Sequence, residues 1–393
     1  MKAVIVGAGI IGCALARELA RLGLDVEVID RGAPGAGTTA HGEGNVLVSD
    51  KGPGPELALA QLSRTLWPST IDEIDEQCGP QVGRLIEFEP KGGIVVATTD
   101  AGAQSLTDFA ARQRQAGVAA TVLSHAEAHE AEPHLTRDLA SAFLYPEDAQ
   151  VQPVGAAHAL LFSAKGFGAR VRVGTEVLAP VVAHGRIVGI DTSTGRIDAD
   201  VVINCAGPWA ADVSNRLGAP IAMKPRRGDV LITTPQPPTV FHKVYDADYV
   251  GAVGSGDADL QTSAVVESTA AGPILIGSSR RRAPLDTGIR LDSLEGMARK
   301  AIRLFPGLAD VEIMRCYGGF RPYVDDHLPV IGPDPRLSGL WHATGHEGAG
   351  IGLCLGTAVH LGAQLLGHPN PLPDNDFRVD RPAILTTAME TAS

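Results

Sequence analysis

Residues Lys2 to Val6 read as a short buried-strand run, and the hydrophobic period then changes. Leu15, Leu19 and Leu22 recur at helical spacing, with Gly23 as a stop signal. Asp25 to Ile29 reads as a second strand, ending at Asp30. This strand, helix and strand enclose Gly7, Gly9 and Gly12, which fit the spacing G-x-G-x-x-G. In such a unit the first glycine makes the turn and the second lets a pyrophosphate approach the backbone. The third lets helix and strand pack closely. The helix N-terminus offers free N–H groups and a positive dipole end to phosphates. Asp30 stands about 20 residues past the glycines, where a carboxylate accepts hydrogen bonds from an adenosine ribose and disfavours a 2′-phosphate. The pattern predicts a dinucleotide site, against the alternative of a glycine-rich turn in a nucleotide-free α/β protein.

Strand and helix do not go on alternating. The loop "RGAPGAGTTAHGEGNVLVSD" follows Asp30, and its Thr38 and Thr39 can offer hydroxyl and N–H groups to a pyrophosphate. Further on, short strands and turns close on the apolar strand Val201 to Cys205, which runs into Ala206, Gly207, Pro208 and Trp209. Near the C-terminus, "GLWHATGHEGAGIGLCLGTAVHLGAQLLG" reads as strand, glycine loop and long helix. Glycine-marked strand ends at three places suit a ligand longer than one nucleotide half. "GGIVVATT" and "PILIGSSR" read as strands of another sheet. "LDSLEGMARKAIRLF", with Leu291, Leu294, Met297, Ile302 and Phe305 on one side and Pro306 ending it, reads as a covering helix.

A length of 393 residues allows two domains, and 44% hydrophobic with 20% charged residues is ordinary for a globular chain. The net charge of -12 argues against nucleic acid or acidic lipid as partners, which need basic faces. No segment reaches the roughly 18 apolar residues of a membrane span. Glycines break the first apolar run, so the N-terminus reads as structure and not as a targeting signal. The five cysteines show no CxxC pairing, which supports neither a zinc site nor a disulfide framework and points to a cytoplasmic protein without a metal.

Taken together, "VIVGAGIIGCALARELARLGLDVEVID", "GAGTTAHGEGN", "DADVVINCAGPWA", "GGFRPYVDDHLPVIG" and "ATGHEGAGIG" make the chain resemble the glycine oxidase and D-amino-acid oxidase family of FAD-dependent oxidoreductases. The resemblance implies an α/β fold with a Rossmann-like FAD-binding domain over residues 1–86, 145–215 and 315–393. An α+β substrate domain of mostly antiparallel sheet would take residues 87–144 and 216–314. It also implies that FAD meets Gly7, Gly9, Gly12, Asp30, Arg31, Thr38 and Thr39, then Gly44 and Asn45 of the "HGEGN" loop. Val177 would reach the adenine, and Ala206, Gly207 and Trp209 would sit by the cofactor. Gly345, Glu347, Gly348, Gly350 and Ile351 would run along the pyrimidine edge of the flavin, where N–H groups stabilise charge on reduction.

Arg321 stands where the family has its carboxylate-binding arginine, just before Pro322. A guanidinium can hold a substrate carboxylate bidentately and align Cα–H over the flavin. The alternative is an arginine that braces the turn through Asp325 or Asp326. Further candidates are Tyr249 and Tyr245 for the carboxylate, His346 beside the flavin loop, and His41 with Glu43 on the catalytic face. Glycine oxidase has an arginine a few residues past its Gly-His pair, where this chain reads Glu347-Gly348-Ala349, so glycine is in doubt as substrate. Cys316 precedes "DDH" at a spacing unlike that of covalent flavin attachment in sarcosine oxidases and reads as a core residue.

"HGEGNVLVSD" and "GHEGAGIG" look most like flavoprotein subunits of D-hydroxyproline dehydrogenases and opine oxidases, whose activity is oxidation of a C–N bond in a small carboxylate-bearing amine. Relatives of that kind often act in hetero-oligomers and pass electrons to carriers other than oxygen, and the resemblance implies a homo- or hetero-oligomer here. An electron-relay subunit and a flavin hydroxylase are the competing readings, and the second lacks a second nucleotide fingerprint.

Overall fold

The structure is a computed structural model that describes residues 1–247, 259–285, 288–373 and 376–385. Its first sheet has six strands in the spatial order Val330–Pro333, Leu340–Thr344, Val201–Asn204, Lys2–Val6, Asp25–Ile29 and Arg170–Arg172. Neighbours pair in parallel except Val330–Pro333 with Leu340–Thr344. A parallel sheet needs both faces covered, and alternation along the first strand shows how this is done. Ala3 and Ile5 enter a core shared with the helices Ile10–Arg21, Pro153–Gly166 and Gly350–Leu366. Val4 and Val6 enter another, with Ile187, Ile190 and Ile197 of a three-stranded antiparallel sheet, Val177–Ala183, Arg186–Thr192 and Gly195–Asp198.

The second large sheet has eight strands in the order Ile313–Tyr323, Lys224–Thr233, Ile274–Arg282, Gln261–Ser268, Lys243–Asp246, Gly93–Ala97, Ser141–Tyr145 and Thr121–Leu123. All neighbours are antiparallel except Lys243–Asp246 with Gly93–Ala97. The helix Leu291–Leu304 covers one face, setting Met297, Ala301 and Leu304 against Leu231, Val266 and Ile276. The stripe expected on this helix needs correction at its start. Leu291 is 81% exposed, and Ser293 takes the buried position in the first turn.

The boundary expected at residue 315 also shifts. It cuts the strand Ile313–Tyr323, which pairs with Lys224–Thr233 from Ile313 to Tyr323 and so belongs to the eight-stranded sheet. Only after the turn at Val324–His327 does the chain rejoin the six-stranded sheet. Arg321 thus lies on the sheet of the expected substrate half, at the end facing the other half.

Candidate active site

The N-terminal strand and helix meet at a turn that only glycine permits. Gly7 has φ +111°, and a Cβ there would lie 2.5 Å from the Cys205 carbonyl oxygen. Gly12 brings the helix onto the turn, since a Cβ there would lie 1.9 Å from the Gly7 carbonyl oxygen. Gly9, the residue before the helix, has only Thr39 Oγ1 within reach, at 3.5 Å from a built Cβ. Its open side is the cavity. Thr39 Oγ1 accepts from the Ile10 N–H at 3.0 Å, and Thr38 Oγ1 donates to the Phe320 carbonyl at 2.6 Å. Asp30 accepts from the N–H groups of Ala8 and Gly32, each at 2.7 Å, which ties the glycine turn to the end of the second strand.

A cavity of about 360 Å³ starts at this turn and reaches the second sheet. One end is walled by Asp30, Arg31, Val177 and Trp209, with the Arg31 guanidinium 4.4 Å from the centre of the Trp209 ring. Thr175, Glu176 and Arg216 also line that end, and Arg216 donates to Glu176 at 2.6 Å and to the Val177 carbonyl at 2.8 Å. The middle carries Thr38, Thr39, Ala206 and Gly207. The far end carries His41, Glu43, Asn45, Arg321, His346, Glu347, Gly348, Gly350 and Ile351.

Gly12, expected to let helix and strand pack closely, does so at the turn, and neither it nor Gly44 or Gly345 lines this cavity. Gly44 has φ +95° with a built Cβ 1.9 Å from the Val151 carbonyl oxygen, and Gly345 has φ +76° with one 2.9 Å from Val324 Cγ2. These glycines bend backbone that lines the cavity without reaching it. Tyr249 lies outside the described residues. Tyr245 turns away, buried with its hydroxyl on Ser49 Oγ, in a network that continues to Asp148. Cys316 packs with the core under the helix Leu291–Leu304, while Gly319 and Arg321 of the same strand face the cavity.

The second sheet closes the far end with basic groups that the sequence reading passed over. Gly228, Val230, Arg280, Gly319 and Arg321 face the cavity from three adjacent strands. The Arg321 guanidinium lies over Gly228, where a Cβ would come within 2.5 Å of Nη2, and its Nη1 donates to the Ser279 carbonyl at 3.0 Å. Asp325 pairs with Lys224 at 2.9 Å and Asp326 with Arg381 at 2.8 Å, so the acids expected to brace Arg321 in the turn hold other cations. Glu347 meets Arg226 at 2.7 Å and His327 at 3.6 Å. Burial opposes ionisation of Glu347. The His327 side chain and then the Arg280, Arg226 and Arg321 guanidinium groups outweigh it and hold the carboxyl at about 2.

The two histidines differ. His41 Nδ1 lies 2.8 Å from the Gly37 carbonyl oxygen, a contact that requires the proton on Nδ1. His346 is buried with Nε2 3.0 Å from Thr357 Oγ1, and burial pushes its imidazole down to about 3. It is therefore neutral at pH 7, and the loop carries no histidine cation at that position.

Among the described residues no group of three or more His, Cys, Asp or Glu is arranged to hold a metal ion, and no helix is long and apolar enough to cross a membrane. The elongated cavity, the open side of Gly9 and the helix N-terminus behind it fit a dinucleotide that extends from the turn to the arginine-bearing sheet.

The family model described as FAD dependent oxidoreductase matches residues 2–364. The chain belongs to that family. Glycine oxidase of Geobacillus kaustophilus is 30% identical over 355 residues, which cover 88% of this chain and 88% of that protein. The crystal structure of glycine oxidase from the same organism superposes with a TM-score of 0.86 at 27% identity, covering 96% of this chain and 98% of the other. L-Proline dehydrogenase from P. horikoshii shares the fold with a TM-score of 0.84 at 23% identity, covering 96% of each chain. The oxidoreductase uses FAD and has the α/β architecture of these enzymes.

Proposed function

We propose that this oxidoreductase oxidises the C–N bond of a small amino acid or secondary amine that carries a carboxylate, with Arg321 as the carboxylate handle. The observation that carries the reading is the Arg321 guanidinium at the cavity wall, over Gly228 and opposite the loop Gly345–Ile351. A guanidinium there can take a carboxylate through two charge-assisted hydrogen bonds and leave Cα and the amine nitrogen directed into the cavity. Bound FAD supplies the hydride acceptor. Gly7, Gly9, Asp30, Thr38, Thr39 and the N-terminus of the helix Ile10–Arg21 would hold its dinucleotide portion, and Gly348 to Ile351 its ring edge.

His346 and Val230 are buried at the far end, and neutral His346 adds no positive charge that would repel an amine. No residue at the arginine wall is needed as a strong base when the amine enters neutral. The product imine hydrolyses to a keto acid, or stays cyclic when the amine was part of a ring. Glu347 and Ala349 stand where glycine oxidase has its extra arginine, which favours a substrate larger than glycine, such as a D-amino acid, a proline-like amine or an N-substituted glycine. Five free cysteines are consistent with cytoplasmic residence.

The test is anaerobic mixing of the yellow protein with D-, L- and N-alkyl amino acids while the visible flavin band is followed. Bleaching by a carboxylate-bearing amine supports the reading, and readmitted air then separates oxidase from dehydrogenase. If no amine bleaches the flavin, the reading fails and an electron-relay subunit replaces it.

A further inference from the structure

We propose that Glu43 is the amine-side residue of this site, which pairs with the substrate ammonium and takes its proton before the Cα–H bond breaks. This deepens the reading above and rests on it. Glu43 and Glu347 are the carboxylates at the far end of the cavity, and they are held differently. Glu347 has Arg226 at 2.7 Å and His327 at 3.6 Å. Glu43 is 8% exposed, and it forms no ion pair among the described residues. Its Oε2 accepts from Asn45 Nδ2 at 3.2 Å, and its Oε1 is buried without a donor. A carboxylate so placed is costly unless a cation or a proton meets it. A substrate ammonium supplies both.

The spacing from Arg321 suits an amino acid. Glu43 Oε1 lies over Gly277, where a Cβ would come within 1.5 Å. Arg321 Nη1 donates at 3.0 Å to the carbonyl of Ser279, two residues further along the same strand. The two contact points are therefore about 7 Å apart. In an α-amino acid the nitrogen lies about 2.5 Å from the carboxylate carbon. One charge-assisted bond of about 2.8 Å at each end completes a span of that size. With the carboxylate on Arg321 and the ammonium on Glu43, Cα stands between them.

Other titratable groups stand around Glu43. Glu267, on the strand Gln261–Ser268, gives Oε2 to Lys243, and its Oε1 is also buried without a donor. Burial pushes the Glu267 carboxyl up; the Lys243 ammonium opposes this and the Glu43 charge adds to it. Burial, then the charges of Glu43 and Glu267, push the Tyr317 hydroxyl up, so it stays protonated and donates to the Gly42 carbonyl at 3.2 Å. His41 packs edge-on to the Tyr317 ring at 6.0 Å, and Arg280 and Arg321 border the same end of the cavity. A proton taken up by Glu43 relieves the repulsion between two buried carboxylates.

An ammonium has no lone pair to support hydride loss. As its proton moves to Glu43, the electron pair of the N–H bond stays on nitrogen. The Cα–H bond then breaks with its electron pair passing to bound FAD, and the nitrogen pair closes the C=N bond of an iminium product. Two electrons leave the amine, and one proton rests on Glu43.

Two measurements test this. The ligands α-aminoisobutyrate and α-hydroxyisobutyrate share a carbon frame and a carboxylate, differ in ammonium against hydroxyl, and lack the Cα–H that turnover needs. Each is titrated into the holoenzyme while the visible flavin band is followed. The amine should bind about tenfold to hundredfold more tightly, as expected for one charge-assisted contact. Glu43→Gln should bring that ratio close to one. A ratio near one in the unaltered protein overturns the proposal, and so does a ratio that survives Glu43→Gln, since another group would then hold the amine.

The second measurement is the rate of anaerobic bleaching at saturating amine from pH 7 to 9. It should be nearly flat in the unaltered protein, where the bound ammonium gives up its proton in place. In Glu43→Gln it should be about a hundredfold lower at pH 7 and climb about tenfold per pH unit toward the amine's own pKa. A merely structural role would lower the rate equally at every pH. A climb of that kind in the unaltered protein overturns the proposal even if Glu43→Gln fails to fold. If no amine bleaches the flavin, the proposed oxidation is lost, and the binding ratio still decides whether Glu43 holds an ammonium.

Discussion

Glu347→Gln changes one charge at the point where the two sheets meet. The carboxylate contacts Arg226, which is 1% exposed, and its own side chain is 14% exposed, so solvent screens the pair little. The carboxyl is held at about 2 against an ordinary value of 4.5, which corresponds to about 3 kcal/mol of preference for the ionised form in the folded protein. A depressed folded value gives stability that is fully present above 4.5 and is lost as the pH falls toward 2. Glutamine keeps a hydrogen-bond acceptor for Arg226 and removes the charge. Urea unfolding of the holoenzyme, followed by circular dichroism and flavin release, should show a loss of about 3 kcal/mol at pH 7. At pH 3.5, one unit below the unfolded value, the gap between the two proteins should narrow by about 1 kcal/mol.

The same substitution leaves the guanidinium groups at the cavity less neutralised. Affinity for a carboxylate ligand should therefore rise while stability falls, a pairing of signs that general damage to the fold does not produce. The reasoning is refuted if the stability gap stays constant from pH 7 to 3.5, or if ligand affinity falls together with stability.

Three other perturbations are tied to single observations. Arg321→Ala should raise KM for the amine substrate a hundredfold or more, about 3 kcal/mol for a bidentate charged contact, while the flavin spectrum of the purified protein stays intact; a normal KM would remove the carboxylate role. Gly12→Ala should destabilise by about 3 kcal/mol or abolish folding, because the built Cβ meets the Gly7 carbonyl oxygen at 1.9 Å, whereas Gly9→Ala should fold normally and lose FAD affinity, measured by flavin titration of the apoprotein. Asp148 is buried, and burial raises its carboxyl to about 6 although the Ser49 hydroxyl and the Val48 N–H oppose this. A raised folded value gives stability that is present below 3.8 and lost as the pH rises through 6, so Asp148→Asn should be more stable than the unaltered protein by up to about 3 kcal/mol at pH 8 and equal to it near pH 4 in the same urea assay.

What the chain discloses in sequence follows from how local each constraint is. Gly7, Gly9 and Gly12 act within one turn, and their spacing states the geometry whatever the rest of the fold does. Asp30 is legible for the same reason, although its carboxylate binds the N–H groups of Ala8 and Gly32 and so also clamps the turn. Gly44 and Gly345 look like cavity residues because they stand in glycine loops, yet their positive φ and the backbone or side chain against them make them bends. Sequence spacing does not separate a glycine that admits a ligand from one that admits its own chain.

The basic wall was illegible because it is assembled across strands. "KPRRGD" and "GSSRRR" read as polar strand ends, and only pairing brings Arg226 opposite Arg321 and Arg282 opposite Arg226. One signal was present: side chains alternate along a strand, so consecutive arginines must point to both faces, and in a sheet with one covered face some must turn toward whatever lies on the other. That other face here is the cavity. Arg280 and Arg321 border that cavity, and beside them the His327 side chain and then the Arg280, Arg226 and Arg321 guanidinium groups hold Glu347 ionised against the cost of its burial, so the charge at this wall is set by residues that four separate stretches of sequence supply.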